Sequence, residues 1–461
     1  MLHSSNFIPL EAAHSFPYEH GKFGRLFPAL PPAKFSPEIL SHLAGSMRRV
    51  KDSTPTIDKN TMPAGYTYLG QFISHDITFD PTEITGNQAD SEHLWNFRTP
   101  NLDLDSLYGN HPETNPIYYE SEEGFFPVNK SSIDLFRRQT INNRTLALIP
   151  DHRNDENKLV AQIHLLFQKL HNKLLSKYGN FATAKQFTIW HYQWIVLNDF
   201  LPRIIQEDIL KSIFDPKSPM VNKRLHYNWS TEPFIPLEFS VAAFRFGHSL
   251  VRDRYEIFID ENKRRVLGTL LDPKELNPTI GGKQPHSLSG GELNDLPINL
   301  ALFYGKAAQK NHLIQPKISS ALYDIPFFHG QGHRIFPQTT NGSSLPFITM
   351  TRGVLVELPS GENVARALGF DPIPFELNKI NGMPDVSETP LWYYILSEAE
   401  KYSKLKSSPN TLGPVGSTIA GEVLIGLLQG DKSSFINQCP EWTPEWGEDF
   451  DMAKLIQLVN E

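Results

Sequence analysis

The sequence predicts a mainly α-helical protein with few, short strands, and three observations predict it. From Asn157 to Tyr178 the apolar residues Leu159, Val160, Ile163, Leu166, Phe167, Leu170 and Leu174 recur at three- and four-residue spacing, which lines one face of a helix. From Ala182 to Ile205 the residues are bulky nearly all round, as in a helix buried on every side. Strand-like runs, Tyr255 to Ile259 and Gly353 to Glu357, are short and few.

Each helix carries boundary signals. Asp155 and Glu156 stand where the start of a helix favours carboxylates, and Gly179 can close the far end. Pro202 should kink or end the second helix. A third helix, Thr67 to Phe79, places Leu69, Phe72 and Ile73 on one side. The 36 prolines are spread widely, which implies long loops. One of these, Asn277 to Asp295, is rich in glycine but lacks the GxxxxGK[ST] pattern and a preceding strand, so it reads as a surface loop rather than a phosphate cradle.

With 461 residues, 39% hydrophobic and 20% charged, the chain has the make-up of a soluble globular protein, free of repeats and low-complexity segments. A net charge of -8, from 43 basic and 51 acidic residues, argues against a nucleic-acid groove as its main surface. Cys439 is the sole cysteine, so no intramolecular disulfide can form. The first twenty residues lack the basic start and apolar stretch of a signal peptide, and no window of about 18 apolar residues occurs. A cytoplasmic protein without a membrane span is expected, with export by another route left open.

Two segments concentrate chemistry. In YLGQFISHDITFD, Gln71 and His75 lie four apart and so project from one helix face; alone they are a core pair or a catalytic one. Asp76 points elsewhere and Asp80 lies a turn on, as caps, calcium ligands or solvated carboxylates. In RTPNLDLDSLYG, Thr99, Asn101, Asp103 and Asp105 place oxygen donors at every second position. Such a loop can curl around a hard cation, although its spacing is not that of an EF-hand and acidic turns are common.

These segments, followed by DHRNDEN before the amphipathic helix and then by FRFGHSLV, resemble the animal-type haem peroxidase (peroxidase–cyclooxygenase) superfamily in its bacterial branch. GRLFPALPPA, HYQWIVLNDFLPRI, LPSGENVARALGF and EVLIGLLQGDKSSFINQCPEWTP extend the likeness, in order, over roughly residues 20 to 445. The resemblance implies a helical fold around a buried haem b, one domain over 1–461 with an extension at about 1–20 and a tail at 446–461. It makes His75 the distal base, Gln71 its neighbour and Arg153 the distal arginine. It makes His248 the axial ligand of the haem iron, with Arg245, Arg352 and Thr349 beside the haem. Asp76, Thr99, Asn101 (by its carbonyl), Asp103 and Asp105 would hold calcium. Glu156 matches a glutamate that is esterified to the haem in many members.

The implied activity is reduction of hydrogen peroxide through a ferryl intermediate, with small organic donors or halides oxidised. Peroxide must lose a proton at one oxygen and regain it at the other, and an imidazole can do both. A permanently cationic arginine stabilises the charge that builds on the departing oxygen.

The sequence departs from the family pattern at three places. Ser74 stands where an aspartate forms the first haem ester, and Asn157 where myeloperoxidase has its sulfonium methionine, so neither link is expected. Thr349 aligns with the asparagine that accepts from the proximal histidine. His164 and His171, seven apart on the long helix, read as structural. Arg245, where fatty-acid dioxygenases on this fold carry a tyrosine, favours a peroxidase over a dioxygenase-like or biosynthetic oxygenase. Intact His75, Arg153 and His248 disfavour a non-catalytic interaction module.

Overall fold

The structure, a computed structural model, describes residues 21–49, 61–80, 94–109, 111–128, 131–139, 145–229, 232–262, 264–270, 285–293, 296–323, 344–374, 380, 386–406 and 410–461. The expected N-terminal extension, 1–20, lies outside them. Eight longer helices carry the architecture: α1 (Pro37–Ser46), α2 (Gly65–Ile77), α3 (Lys158–Tyr178), α4 (Phe181–Ile195), α5 (Leu345–Leu355), α6 (Leu391–Lys406), α7 (Pro414–Gly430) and α8 (Met452–Asn460). Antiparallel β1 (Arg137–Gln139) and β2 (Thr145–Ala147) form one small sheet. In a second, β3 (Tyr255–Ile259) pairs antiparallel with β4 (Arg265–Thr269), which pairs parallel with β5 (His286–Ser287).

The long helix forms because its ends are chemically closed and its apolar face is buried. The Asn157 side chain accepts from Val160 N, Gly179 leaves in the left-handed region at φ 65, and Leu159 to Leu175 supply the buried side. The helix α4 runs on through a wider turn at Val196–Phe200 into Leu201–Ile204, where the proline-containing segment stops. Buried apolar side chains from Phe27 to Val459 make one continuous core. The C-terminal α8 belongs to it, packing on α3 with Lys173 Nζ donating to Leu458 O at 2.8 Å. Among the described residues no helix is long and apolar enough to cross a membrane.

One expectation is corrected and another sharpened. Gly353 to Glu357 is not a strand: it ends α5, and the chain turns at Glu357 with φ 58. A short apolar run does not distinguish a strand from a buried helix, and here the Ser344 cap and Pro346 in the first turn start a helix that carries through Leu355. The loop at 277–295 lies partly outside the described residues; within 285–293, His286, Ser289, Gly290 and Glu292 are exposed, as a surface loop requires, and the segment is anchored at its middle. Leu288 is buried, Lys158 N donates to Leu288 O at 2.9 Å, and Gly290 N donates to Glu156 O at 2.9 Å. A Cβ on Gly290 would come within 1.9 Å of Asp155 O, so this glycine serves close backbone approach.

The helix α2 packs against α3 and against Ala243–Ser249, while α6 packs on Ala243–Ser249 from its own side. This arrangement gathers the residues considered next.

Candidate active site

On α2, His75 is fully buried, and its Nδ1 lies 2.9 Å from Asn154 Oδ1. Asn154 Nδ2 in turn lies 3.1 Å from His164 Nδ1 on α3. His75 Nε2 has no hydrogen-bond partner among the described residues. Burial, with the Arg153 charge adding to it, pushes His75 down to about 3, so its imidazole is neutral. Gln71 faces Asn157, whose Nδ2 donates to Gln71 Oε1 at 3.1 Å while Asn157 Oδ1 caps α3.

Arg153 sits on the short turn His152–Asp155. Its guanidinium donates to His75 O and Thr78 O, each at 2.8 Å, and to Asp151, and it lies 4.5 Å above the Phe79 ring. Asp151 also binds Arg98, and Arg98 reaches Asp105 at 3.5 Å. Charges of alternating sign therefore run from the acidic loop to the distal turn. The two arginines hold the Asp151 carboxyl well below the usual range despite its burial.

Asp76, Asp103 and Asp105 each offer an oxygen within 4.8 Å of the others. Asp76 accepts from Leu104 N at 3.2 Å and from Ser106 Oγ at 3.2 Å. Leu104, at φ 57, adopts the left-handed conformation that a side chain resists. Thr99 Oγ1 donates to Asp103 Oδ2 at 2.8 Å, and Asn101 lies half-buried in the same loop. Burial and mutual repulsion raise Asp76 well above its ordinary value and Asp103 to about 7, and burial raises Asp105. A cation is the natural compensation for such a group.

His248 is buried in Ala243–Ser249, its ring edge-on to Trp392 of α6 at 5.9 Å. Trp392 Nε1 donates to Arg245 O at 3.1 Å, and Arg245 Nε donates to Ser240 O at 3.1 Å. Arg352 of α5 pairs with Asp80. Ser74, Asp80, Arg153, Arg245 and Arg352 line one cavity. Burial, and then Arg352, push the Arg245 guanidinium down to about 9. Thr349 Oγ1 is buried and makes no hydrogen bond among the described residues, so it does not take the place of the family asparagine towards His248. Its hydroxyl oxygen is two bonds from Cα, one fewer than an asparagine's amide oxygen.

These residues fit a haem. Of the three guanidinium groups lining the shared cavity, Arg153 pairs with Asp151 and Arg352 with Asp80, which leaves the Arg245 charge to be met by an anionic group such as a propionate. A buried histidine ring nitrogen without a partner stands on α2, and a second buried histidine stands on the segment packed against it.

Sequence reasoning missed Asp151, Arg98 and Asn154 as parts of the site, offered Asp80 only as a cap, calcium ligand or solvated carboxylate, and read His164 as structural. Asp151 and Asn154 flank Arg153 and could have been weighed as its supports; no local spacing places residue 98 beside 151. His171 is structural as expected, bonding Tyr108 OH at 2.9 Å and Gly124 O at 3.2 Å.

A family model described as animal haem peroxidase matches residues 84–332, just over half of the chain. That span includes the acidic loop, Arg153, Glu156, Arg245 and His248. A peroxidase-like protein of Margaritifera margaritifera is 30% identical over 116 residues, covering 23% of this chain and 14% of that protein. Thyroid peroxidase of Mus musculus is 26% identical over 203 residues, covering 38% of this chain and 21% of that protein. The chain thus spans only a small part of these relatives' length. Among solved structures, peroxidase A from Dictyostelium discoideum superposes with a TM-score of 0.63 at 16% identity, over 96% of this chain and 93% of that one. A fatty acid alpha-dioxygenase of Oryza sativa, with palmitic acid, superposes with a TM-score of 0.58 at 16% identity, over 93% of this chain and 78% of that one.

Proposed function

The chain belongs to the animal haem peroxidase family, and on that premise we propose that it reduces hydrogen peroxide while oxidising small organic donors or halides. The haem, when bound, supplies the redox chemistry. The one continuous core supports a single haem-binding domain. His248 would hold the iron, and Arg245 and Arg352 would meet the propionates. His75 would take a proton from peroxide at Nε2 and return it to the departing oxygen, while Arg153 stabilises the charge that grows there.

The observation that carries this reading is the state of His75. One ring nitrogen is committed to Asn154, the other has no partner among the described residues, and Arg153 is fastened to the carbonyl of the same residue. Peroxide-dependent oxidation of a phenolic donor by the haem-loaded protein tests it. His75→Ala should keep the haem absorption and slow the reaction roughly 100- to 10,000-fold; an unchanged rate removes His75 from the chemistry.

Asp76, Thr99, Asp103 and Asp105, with the carbonyl of Asn101, would hold a calcium ion. Glu156 would form at most one haem ester. Asn157 spends its side chain on the α3 cap and Gln71, and Ser74 has no carboxylate to give. The second reading, oxygenation of a fatty acid, is favoured by the likeness to the dioxygenase fold. Arg245 in place of a tyrosine opposes it. Oxygen uptake on adding palmitic acid would support that reading, and its absence beside donor oxidation would exclude it.

A further inference from the structure

We propose that Asn154 and His164 form a tautomer lock on the distal histidine, keeping the proton of neutral His75 on Nδ1 so that Nε2 presents its lone pair. This rests on the reading of His75 as the base. A neutral imidazole carries one proton on either nitrogen, and only the ring with bare Nε2 can accept a proton there.

Asn154 Oδ1 lies 2.9 Å from His75 Nδ1 and can only accept, so this contact requires a proton on Nδ1. The weakness of such an arrangement is that an amide can turn over. With its NH2 towards His75, Asn154 would demand a bare Nδ1 and drive the proton to Nε2, the wrong tautomer for a base. Whatever fixes the amide therefore fixes the base.

His164 shares that control. Its Nδ1 lies 3.1 Å from Asn154 Nδ2, and whenever that Nδ1 is bare it accepts from the amide and holds it in the productive orientation. The two rings are consequently coupled in opposite senses. If His75 carries its proton on Nδ1, His164 carries its own on Nε2; the reversed pair is the unproductive state, and like tautomers leave one end of the amide mismatched. His75, Asn154 and His164 are all at 0% exposure, so water is not at hand to relieve a mismatch.

The surroundings hold the three in place. Asn154 N donates to Asp151 O at 3.0 Å within the turn that also carries Arg153. One turn therefore delivers both the cation and the amide. Phe72, three residues before His75 on α2, meets the His164 ring edge-on at 6.2 Å. Asn154 and His164 are positioning residues in this scheme, acting through His75.

The test reads the tautomers directly. In the ferrous carbon monoxide complex of the haem-loaded protein, which is diamagnetic, selective nitrogen-15 histidine labelling distinguishes protonated from bare ring nitrogens. His75→Gln and His164→Phe assign the signals. We expect His75 protonated at Nδ1 and bare at Nε2, with His164 the reverse; a bare Nδ1 on His75 in the wild type overturns the lock.

Kinetics give a second readout. Asn154→Ala should lower the rate constant for reaction with peroxide roughly 10- to 100-fold, as loss of a supporting partner does elsewhere. Asn154→Asp, which can still accept from Nδ1, should recover most of that loss, and His164→Phe should give a smaller loss with mixed His75 tautomers. A slow His75→Ala beside an unaffected, folded Asn154→Ala with unaltered tautomers would refute the lock and spare the base. An unaffected His75→Ala would instead refute the base.

Discussion

Around His75 the polar side chains bond one another: Asn154 spans two histidines, and Arg153 is held by Asp151 and two backbone carbonyls. His75 Nε2 and His164 Nε2 are left without partners there among the described residues, and around Arg245 and Arg352 more such atoms collect. Ser240 Oγ, Thr349 Oγ1, Thr351 Oγ1 and Arg352 Nε are buried and make no hydrogen bond among the described residues, and Arg245 and Arg352 repel each other beside one carboxylate. The difference separates two kinds of preparation. The α2 side is arranged largely by bonds within the protein; the Arg245 side gathers charge and polarity that a bound anion would complete. Catalytic geometry needs the first, and tight binding of an anionic group draws on the second.

The contrast predicts where damage will show. The largest effect should come from His248→Ala, with the haem band in the visible spectrum lost or strongly shifted and the protein eluting largely without haem. A variant with the wild-type spectrum would move the iron ligand elsewhere and erase the proposed division of labour. Next, Arg153→Ala should cut the rate of reaction with peroxide about 100- to 1000-fold while haem content stays near one per chain. If it sheds haem instead, the distal side is a binding surface and the comparison fails.

Calcium tests the distal side through its support rather than its chemistry. Elemental analysis should find about one calcium per chain, a stoichiometry typical of one oxygen-rich site. Asp103→Asn should reduce that content and lower the melting temperature, with haem affinity less affected. A fully active, calcium-free preparation would leave Asp103 and Asp105 as turn residues. The smallest effect is expected at Glu156. Mass spectrometry of denatured protein should show at most one covalent link, growing after peroxide treatment and absent in Glu156→Gln, whose peroxide reactivity changes little. Two links, or one that survives in Glu156→Gln, would place Ser74 or Glu156 wrongly.

What could be read from the sequence follows the range of the forces involved. The helix α3 was legible to within a residue because its cap, its apolar period and its closing glycine are all local. The motifs that nominated His75 and Arg153 lie far apart in the chain, and the structure brings these two residues together, with Arg153 donating to His75 O. The strand expected at Gly353 to Glu357 failed because a five-residue apolar run has no period of its own, and the decision lay upstream at Ser344 and Pro346. The partner of His164 could not be named from the sequence, because Asn154 lies ten residues back in a turn whose shape no local pattern gives. The docking of Leu288 and Gly290 beside Glu156 is likewise set by packing between distant segments.

The relay of charge from Asp105 through Arg98 and Asp151 to Arg153 has a consequence in thermodynamic reciprocity. Coupling between two binding events is symmetric: if a cation in the acidic loop favours one setting of Arg153, then whatever favours that setting strengthens cation binding by the same factor. Under that condition an anion bound beneath Arg153 would tighten the loop's hold on a cation, and a scarcity of the cation would weaken the anion in equal measure. A cation held by the loop would then act as an effector, its availability setting how much of the protein is competent at a given moment.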